Sequence, residues 1–189
     1  MTDFAIFQSA LVAVGGAAIH VPGPAEAGAA VLAALRERGV TEAIAWADPL
    51  LAQTGLPAAA RAASITWLTA DPAVDPAEIR AVAARAGAGI TGADLAVAET
   101  GTLALLSGPG RPRSVNLLPP LHVAVLPLER LLAATPDLFR ELSRLAQAGR
   151  LRGALHLVTG PSRSADIEDV VIRKMHGPGE LLVVLVERL

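Results

Sequence analysis

Apolar and polar positions along the chain follow two alternating rhythms. Short apolar runs read as strands: Glu42 to Ala47, Ser64 to Thr69, Leu95 to Ala98, Leu103 to Leu106, His122 to Leu126, Ala154 to Val158 and Leu181 to Val186. Several lack polar alternation, the pattern of strands covered on both faces. Between them lie stretches with helical spacing. From Glu26 to Arg38, Val31, Leu32 and Leu35 share one face, Arg36 and Arg38 stand near the end, and Gly39 is the stop. Asp75-Pro76-Ala77-Glu78 opens a second helix with a capping acid, a proline at the first position and an acid three residues on. Its buried stripe is Ile79, Val82, Ala83 and Ala86, and Gly87 and Gly89 are expected to close it. Thr135-Pro136-Asp137 opens a third, with Leu138, Leu142 and Leu145 inward and Gly149 at the end.

Phe4 to Val14 predicts a short helix, followed by a loop through Gly15-Gly16 and His20-Val21-Pro22-Gly23-Pro24. Asp48 to Ala63 is a helical or irregular crossing broken at Gly55 and Pro57. Strands alternating with helices predict an α/β fold, a mainly parallel sheet flanked by helices with one local β-hairpin. We read residues 1–25 as an N-terminal helix or arm and residues 26–189 as a single α/β domain.

The hairpin carries the first candidate chemistry. Glu99-Thr100-Gly101-Thr102 joins two apolar runs, so a sharp turn at Gly101 would hold one carboxylate between two hydroxyls. The other reading of these residues is a hairpin with a polar tip. Ser107-Gly108-Pro109-Gly110 is a second loop, whose N–H groups and hydroxyl suit an anion.

Composition narrows the function. The formal net charge is −2, with no Lys/Arg cluster, so nothing draws the chain to nucleic acid or an anionic membrane. With 52% hydrophobic and only 3% aromatic residues, the core is expected to be aliphatic. There is no cysteine, and so no disulfide, thiolate metal site or Cys-ligated cluster in this chain. No apolar run reaches the ~18 residues of a membrane span. The stretch Ala10 to Ile19 followed by Ala25-Glu26-Ala27 resembles a signal peptide, but no Lys or Arg precedes Arg36 and Asp3 is acidic, so a cytoplasmic chain is expected. The apolar N-terminal segment is a candidate homo-oligomer surface.

In an open α/β sheet, ligands bind beyond the carboxyl ends of the strands. Four polar loops are therefore expected to form one site: Glu99 to Thr102, Ser107 to Gly110, Gly160 to Asp166, and His176-Gly177-Pro178. Gly160, Ser162 and Arg163 combine N–H groups, a hydroxyl and a guanidinium, a set suited to carboxylate or phosphate. Asp166 reads either as a site acid or as a helix cap. His176, in a turn before the last strand, is an acid–base candidate, whereas His122 and His156 read as core histidines. No His or acid pair has a helical metal-ligand spacing, so no metal is expected, and no dinucleotide or Walker loop is present.

G-A-D-L-A-V-A-E-T-G-T-L-A-L-L-S-G-P-G (Gly92 to Gly110), L-L-P-P-L-H-V-A-V (Leu117 to Val125), T-G-P-S-R-S-A-D-I-E (Thr159 to Glu168) and H-G-P-G-E-L (His176 to Leu181) occur in this order. Together they resemble the LUD-domain family, specifically its lactate-utilisation protein C (LutC/YkgG) branch. The resemblance implies a fold like that of the sugar-phosphate isomerase and CoA-transferase group (NagB/RpiA/CoA-transferase-like). It also implies a role in oxidation of L-lactate to pyruvate beside partner proteins that carry iron–sulfur clusters, this chain holding no cofactor of its own. Arg173-Lys174 departs from the apolar-Gly pair common in the family before the histidine.

On residue chemistry, Glu99 and His176 are the catalytic candidates. Thr100, Gly101, Thr102, Ser107, Gly108, Gly160, Ser162, Arg163 and Asp166 are the candidates for binding a small anionic substrate. Two other readings stand beside this one: an enzyme acting alone on an acyl-CoA, folate or sugar phosphate, and a non-catalytic assembly or regulatory protein of the lactate-oxidising complex.

Overall fold

The computed structural model describes residues 3–151, 153–165, 171–173 and 177–189, and for Arg163–Ala165 and Val171–Arg173 only the backbone path. Chain order is α1 (Asp3–Ala13), β1 (Ala17–Val21), α2 (Pro24–Glu37), β2 (Glu42–Trp46), α3 (Pro49–Gln53), α4 (Leu56–Ala62), β3 (Thr66–Ala70), α5 (Pro76–Arg85), β4 (Ala88–Gly92), β5 (Leu95–Val97) and β6 (Thr102–Leu106). It continues with α6 (Ser114–Leu117), β7 (Leu121–Pro127), β8 (Leu131–Leu132), α7 (Thr135–Gln147), β9 (Leu155–Thr159), β10 (Arg163–Ala165), β11 (Val171–Arg173) and β12 (Glu180–Val186).

The main sheet has six strands in the order β1-β12-β7-β4-β2-β3, every neighbouring pair parallel. All residues of β4 and β7 are buried, which explains their unbroken apolar runs: helices cover both faces. The α/β expectation is met. Proline at the first turn starts α2, α5 and α7, and Asp75 caps α5 by accepting from the Ala77 N–H at 2.8 Å. Leu138, Leu142 and Leu145 of α7 point inward as expected. Among the described residues no helix is long and apolar enough to cross a membrane.

Two local expectations are overturned. The segment after Gly16 is not a loop: β1 pairs parallel with β12 and forms an edge of the main sheet, while Phe7 and Leu11 of α1 are fully buried. The short A-A-I-H-V run hides between two Gly/Pro breaks and so looks like part of the loop. Gly87 and Gly89 do not end α5, which stops at Arg85; they belong to the approach and interior of β4. Gly89 is there for space, because a Cβ on it would lie 1.8 Å from the Val115 carbonyl oxygen of α6. The expected hairpin forms, and it lies apart from the main sheet. Strands β5 and β6 pair antiparallel, and with β8 and β9 they build a separate four-stranded sheet in the order β8-β5-β6-β9.

Candidate functional site

The turn after β5 places Glu99 on the surface. Its Oε1 accepts from the backbone N–H of Thr135 at 2.7 Å and from the Thr135 hydroxyl at 2.5 Å. These two bonds, the hydroxyl's first, hold the Glu99 carboxyl below its usual range. Glu99 therefore acts as an anionic cap on the amino end of α7, a helix that starts without a side-chain acceptor of its own at Ala134. The hydroxyls beside it form a chain. Thr100 Oγ1 donates to Thr102 Oγ1 at 2.7 Å, and Thr102 Oγ1 lies 2.8 Å from Thr159 Oγ1, which links this turn to the end of β9. Gly101 takes φ +66°, and a Cβ there would stand 2.7 Å from the Leu11 backbone nitrogen; glycine lets α1 seat directly on the turn.

Ser107 and Gly108 lie at the opposite end of β6, roughly 15 Å away at about 3.3 Å per strand residue. The Ser107 hydroxyl is committed to the backbone: it donates to the Ala154 carbonyl at 3.1 Å and accepts from the Ala154 N–H at 2.8 Å. This end opens onto a cleft of about 710 Å³ lined by Arg111, Arg130, Arg144 and Arg150 with Asp94, Glu129 and Glu141. Arg111 stacks over the Trp46 ring at 4.5 Å and pairs with Asp94 at 2.9 Å and Asp48 at 3.0 Å. Arg144 pairs with Glu141 at 2.7 Å. Much of the cleft's positive charge is thus answered from within the protein.

The other loops do converge. A cavity of about 320 Å³ lies between α6, the amino ends of β7 and β12, and the carboxyl end of β9. Thr159, Gly160 and Ser162 line it from one motif, Gly177 and Pro178 from a second, and Leu117 and His122 from a third. Backbone bonds tie these motifs together: Ser162 N–H donates to the Pro178 carbonyl at 2.8 Å, and Gly179 N–H to the Pro120 carbonyl at 3.0 Å. The fourth motif reaches the cavity through the Thr102–Thr159 hydroxyl contact. Gly160 turns at φ +79°, where a Cβ would strike Val14 at 2.8 Å.

His122 is buried in β7, and burial pushes its pKa down to about 4, so it is neutral near pH 7. Thr91 Oγ1 lies 2.9 Å from its Nε2. Asn116 of α6 also lines the cavity, is 2% exposed, and among the described residues has no hydrogen-bond partner for either polar atom of its side chain. Nothing in the sequence singles out Asn116, whereas His122 is the core histidine expected; His156, expected in the core as well, is only half-buried on β9. Asn116 and His122 stand just before and within L-L-P-P-L-H-V-A-V. Of the sequence candidates, Thr100, Thr102, Gly160 and Ser162 come together at or beside this cavity, whereas Glu99 caps α7 and Ser107 and Gly108 lie elsewhere. Asp166, Lys174, His176 and the Arg163 side chain are outside the described residues.

Comparison with known proteins agrees with this arrangement of motifs. The chain matches the LUD domain over residues 5–186. It is 36% identical over 157 residues to lactate utilization protein C of Halalkalibacterium halodurans, covering 81% of this chain and 66% of that protein. With the protein of the same name from Shouchella clausii it shares 34% identity over 152 residues, 79% of this chain and 64% of that one. The chain thus spans just under two thirds of the length of these relatives. It is also 32% identical over 125 residues to the uncharacterized protein YkgG of Escherichia coli, covering 66% of this chain and 52% of that protein. A crystal structure of a DUF162 family protein from Deinococcus radiodurans has the same fold, with a TM-score of 0.70 at 21% identity over 98% of this chain and 99% of that one. The match across almost the whole chain and the convergence of its four motifs lead to one assignment: this protein belongs to the LUD-domain family.

Proposed function

We propose that this chain takes part in lactate utilisation and that the cavity between α6, β7, β9 and β12 is its ligand site. The relatives' shared name supports the role. The observation that carries the site is the meeting of the family's separate motifs around one cavity, although they are spread from residue 92 to residue 181. The ligand is a small 2-hydroxy or 2-oxo acid anion. Its carboxylate is held by the Gly160–Ser162 loop and Arg163, and His176 handles the proton at carbon 2. The reaction is oxidation of L-lactate to pyruvate, which releases two electrons and two protons, one from the 2-hydroxyl to solvent and one from carbon 2 to His176; the electrons pass one at a time to iron–sulfur partner proteins, since this chain has no cysteine to hold a cluster. Glu99 positions α7 beside the second sheet and does not touch the ligand.

Growth on L-lactate as sole carbon source tests this reading, in a strain lacking this gene and any other lactate dehydrogenase. Wild type and Glu99→Gln are expected to restore growth, because the glutamine keeps an acceptor oxygen for Thr135. Arg163→Gln is expected to fail. Growth of the uncomplemented deletion strain would overturn the lactate role, and failure of a folded Glu99→Gln variant would return Glu99 to the mechanism.

A further inference from the structure

The cavity is larger than lactate requires. At about 320 Å³ it has room for roughly ten waters at about 30 Å³ each, whereas lactate has only six non-hydrogen atoms. Leu117, Leu157, Val158 and Leu181 give it an aliphatic side, on which Leu117 and Leu157 stand 40% and 49% exposed to solvent, and none of its described wall residues carries a formal charge, His122 being neutral near pH 7. Into this lining the fold sets one amide. Both polar atoms of the Asn116 side chain are sealed from solvent, with no hydrogen-bond partner among the described residues. Keeping an unpaired amide inside a protein opposes folding, so its retention calls for a group that pairs with it in another state.

We propose that this site selects 2-hydroxy and 2-oxo acids with an apolar side chain longer than the methyl of lactate. The side chain lies against Leu117, Leu157 and Leu181, and Asn116 turns to read the oxygen on carbon 2. This inference rests on the cavity being the acid site argued above. One amide serves both oxidation states: a 2-hydroxyl donates to Oδ1, and a 2-oxo oxygen accepts from Nδ2. Asn116 is thus a specificity-determining residue, and the walls set the chain length.

Calorimetric titration of the full chain with L-lactate, 2-hydroxy-4-methylpentanoate and 4-methylpentanoate tests both parts. Each buried methylene strengthens binding about fourfold, so the six-carbon hydroxy acid is expected to bind at least tenfold tighter than lactate. Wild type is expected to prefer it over its 2-deoxy analogue by about tenfold or more. Asn116→Leu, with Asn116→Ser as a second variant against misfolding, is expected to lose the preference for the hydroxyl and keep that for the longer chain. Equal affinity for lactate and the six-carbon acid overturns the chain-length claim. A hydroxyl preference retained in either folded variant overturns the role of Asn116, and no binding of either hydroxy acid by folded wild type overturns both. Failure of lactate growth complementation alongside tight binding of the longer acid removes the lactate role alone and leaves this selectivity standing.

Discussion

Gly89→Ala will lower the melting temperature by roughly 6–12 °C and abolish ligand binding together with it. An added Cβ would lie 1.8 Å from the Val115 carbonyl oxygen, 2.9 Å from its carbon and 3.1 Å from Pro119 Cγ. The two closest atoms are backbone, so no side-chain rotation relieves the clash. Gly89 also cannot retreat, because β4 lies between β2 and β7 in the middle of the main sheet and is buried along its whole length. The alternative is for α6 to lift. Overpacking of this kind costs about 3 kcal/mol, at the upper end of the usual range, and about 2–4 °C of melting temperature is lost per kcal/mol at this chain length. Lifting α6 also moves Asn116 and the segment leading to His122, so the cavity is lost with the stability. Scanning calorimetry and the hydroxy-acid titration check the two parts. An unchanged melting temperature would mean that α6 does not sit on this strand.

Acidification from pH 7 to pH 4 will destabilise the protein by about 3 kcal/mol through His122 alone. In the unfolded chain this imidazole takes up a proton near its ordinary pKa of 6.5, while in the fold burial holds the pKa at about 4. Between those values the unfolded state binds more protons, so stability falls as the pH falls; above about 6.5 the contribution is fully present, and below about 4 no more is lost. The separation of about 2.5 units at 1.36 kcal/mol each gives the magnitude. Urea unfolding of wild type and His122→Gln at pH 7 and pH 4.5 checks it, since the glutamine can still hydrogen-bond Thr91 but does not titrate. The variant is expected to lose markedly less stability on acidification. Parallel losses would show that another group controls the acid limb.

The amphipathic stripes of α2, α5 and α7 and the apolar runs of β7 and β12 are plain in the sequence, because each element is dictated by its own residues. What escapes sequence reading depends on neighbours. The Gly87 and Gly89 pair resembles a helix terminator, yet Gly89 answers to Val115, 26 residues later. Strand β9 has the pattern of any other strand, and only its pairing with β6 assigns it to the second sheet. The same holds at the site. Glu99 reads as a catalytic acid until its carboxylate is seen accepting from Thr135, 36 residues on, at the start of α7. Ser107 and Glu99 are close in sequence but stand at opposite ends of a strand. The loops at Gly160–Ser162 and Gly177–Pro178 read as loops in the sequence because Gly/Pro turns fix them locally, whereas the surroundings of Asn116 are a property of the assembled core. The cavity also lies at the amino ends of β7 and β12, not at the carboxyl ends where such sheets usually bind, because the loops that build it precede those two strands.

The family's motifs meet around one cavity, proposed above as the ligand site. A crystal structure determined with saturating 2-hydroxy-4-methylpentanoate tests it most directly. The acid is expected in the 320 Å³ cavity, its carboxylate at the Gly160–Ser162 loop and its 2-oxygen within hydrogen-bonding distance of Asn116. Density for the acid in the cleft lined by Arg111 and Arg130, with the cavity filled only by water, would contradict it.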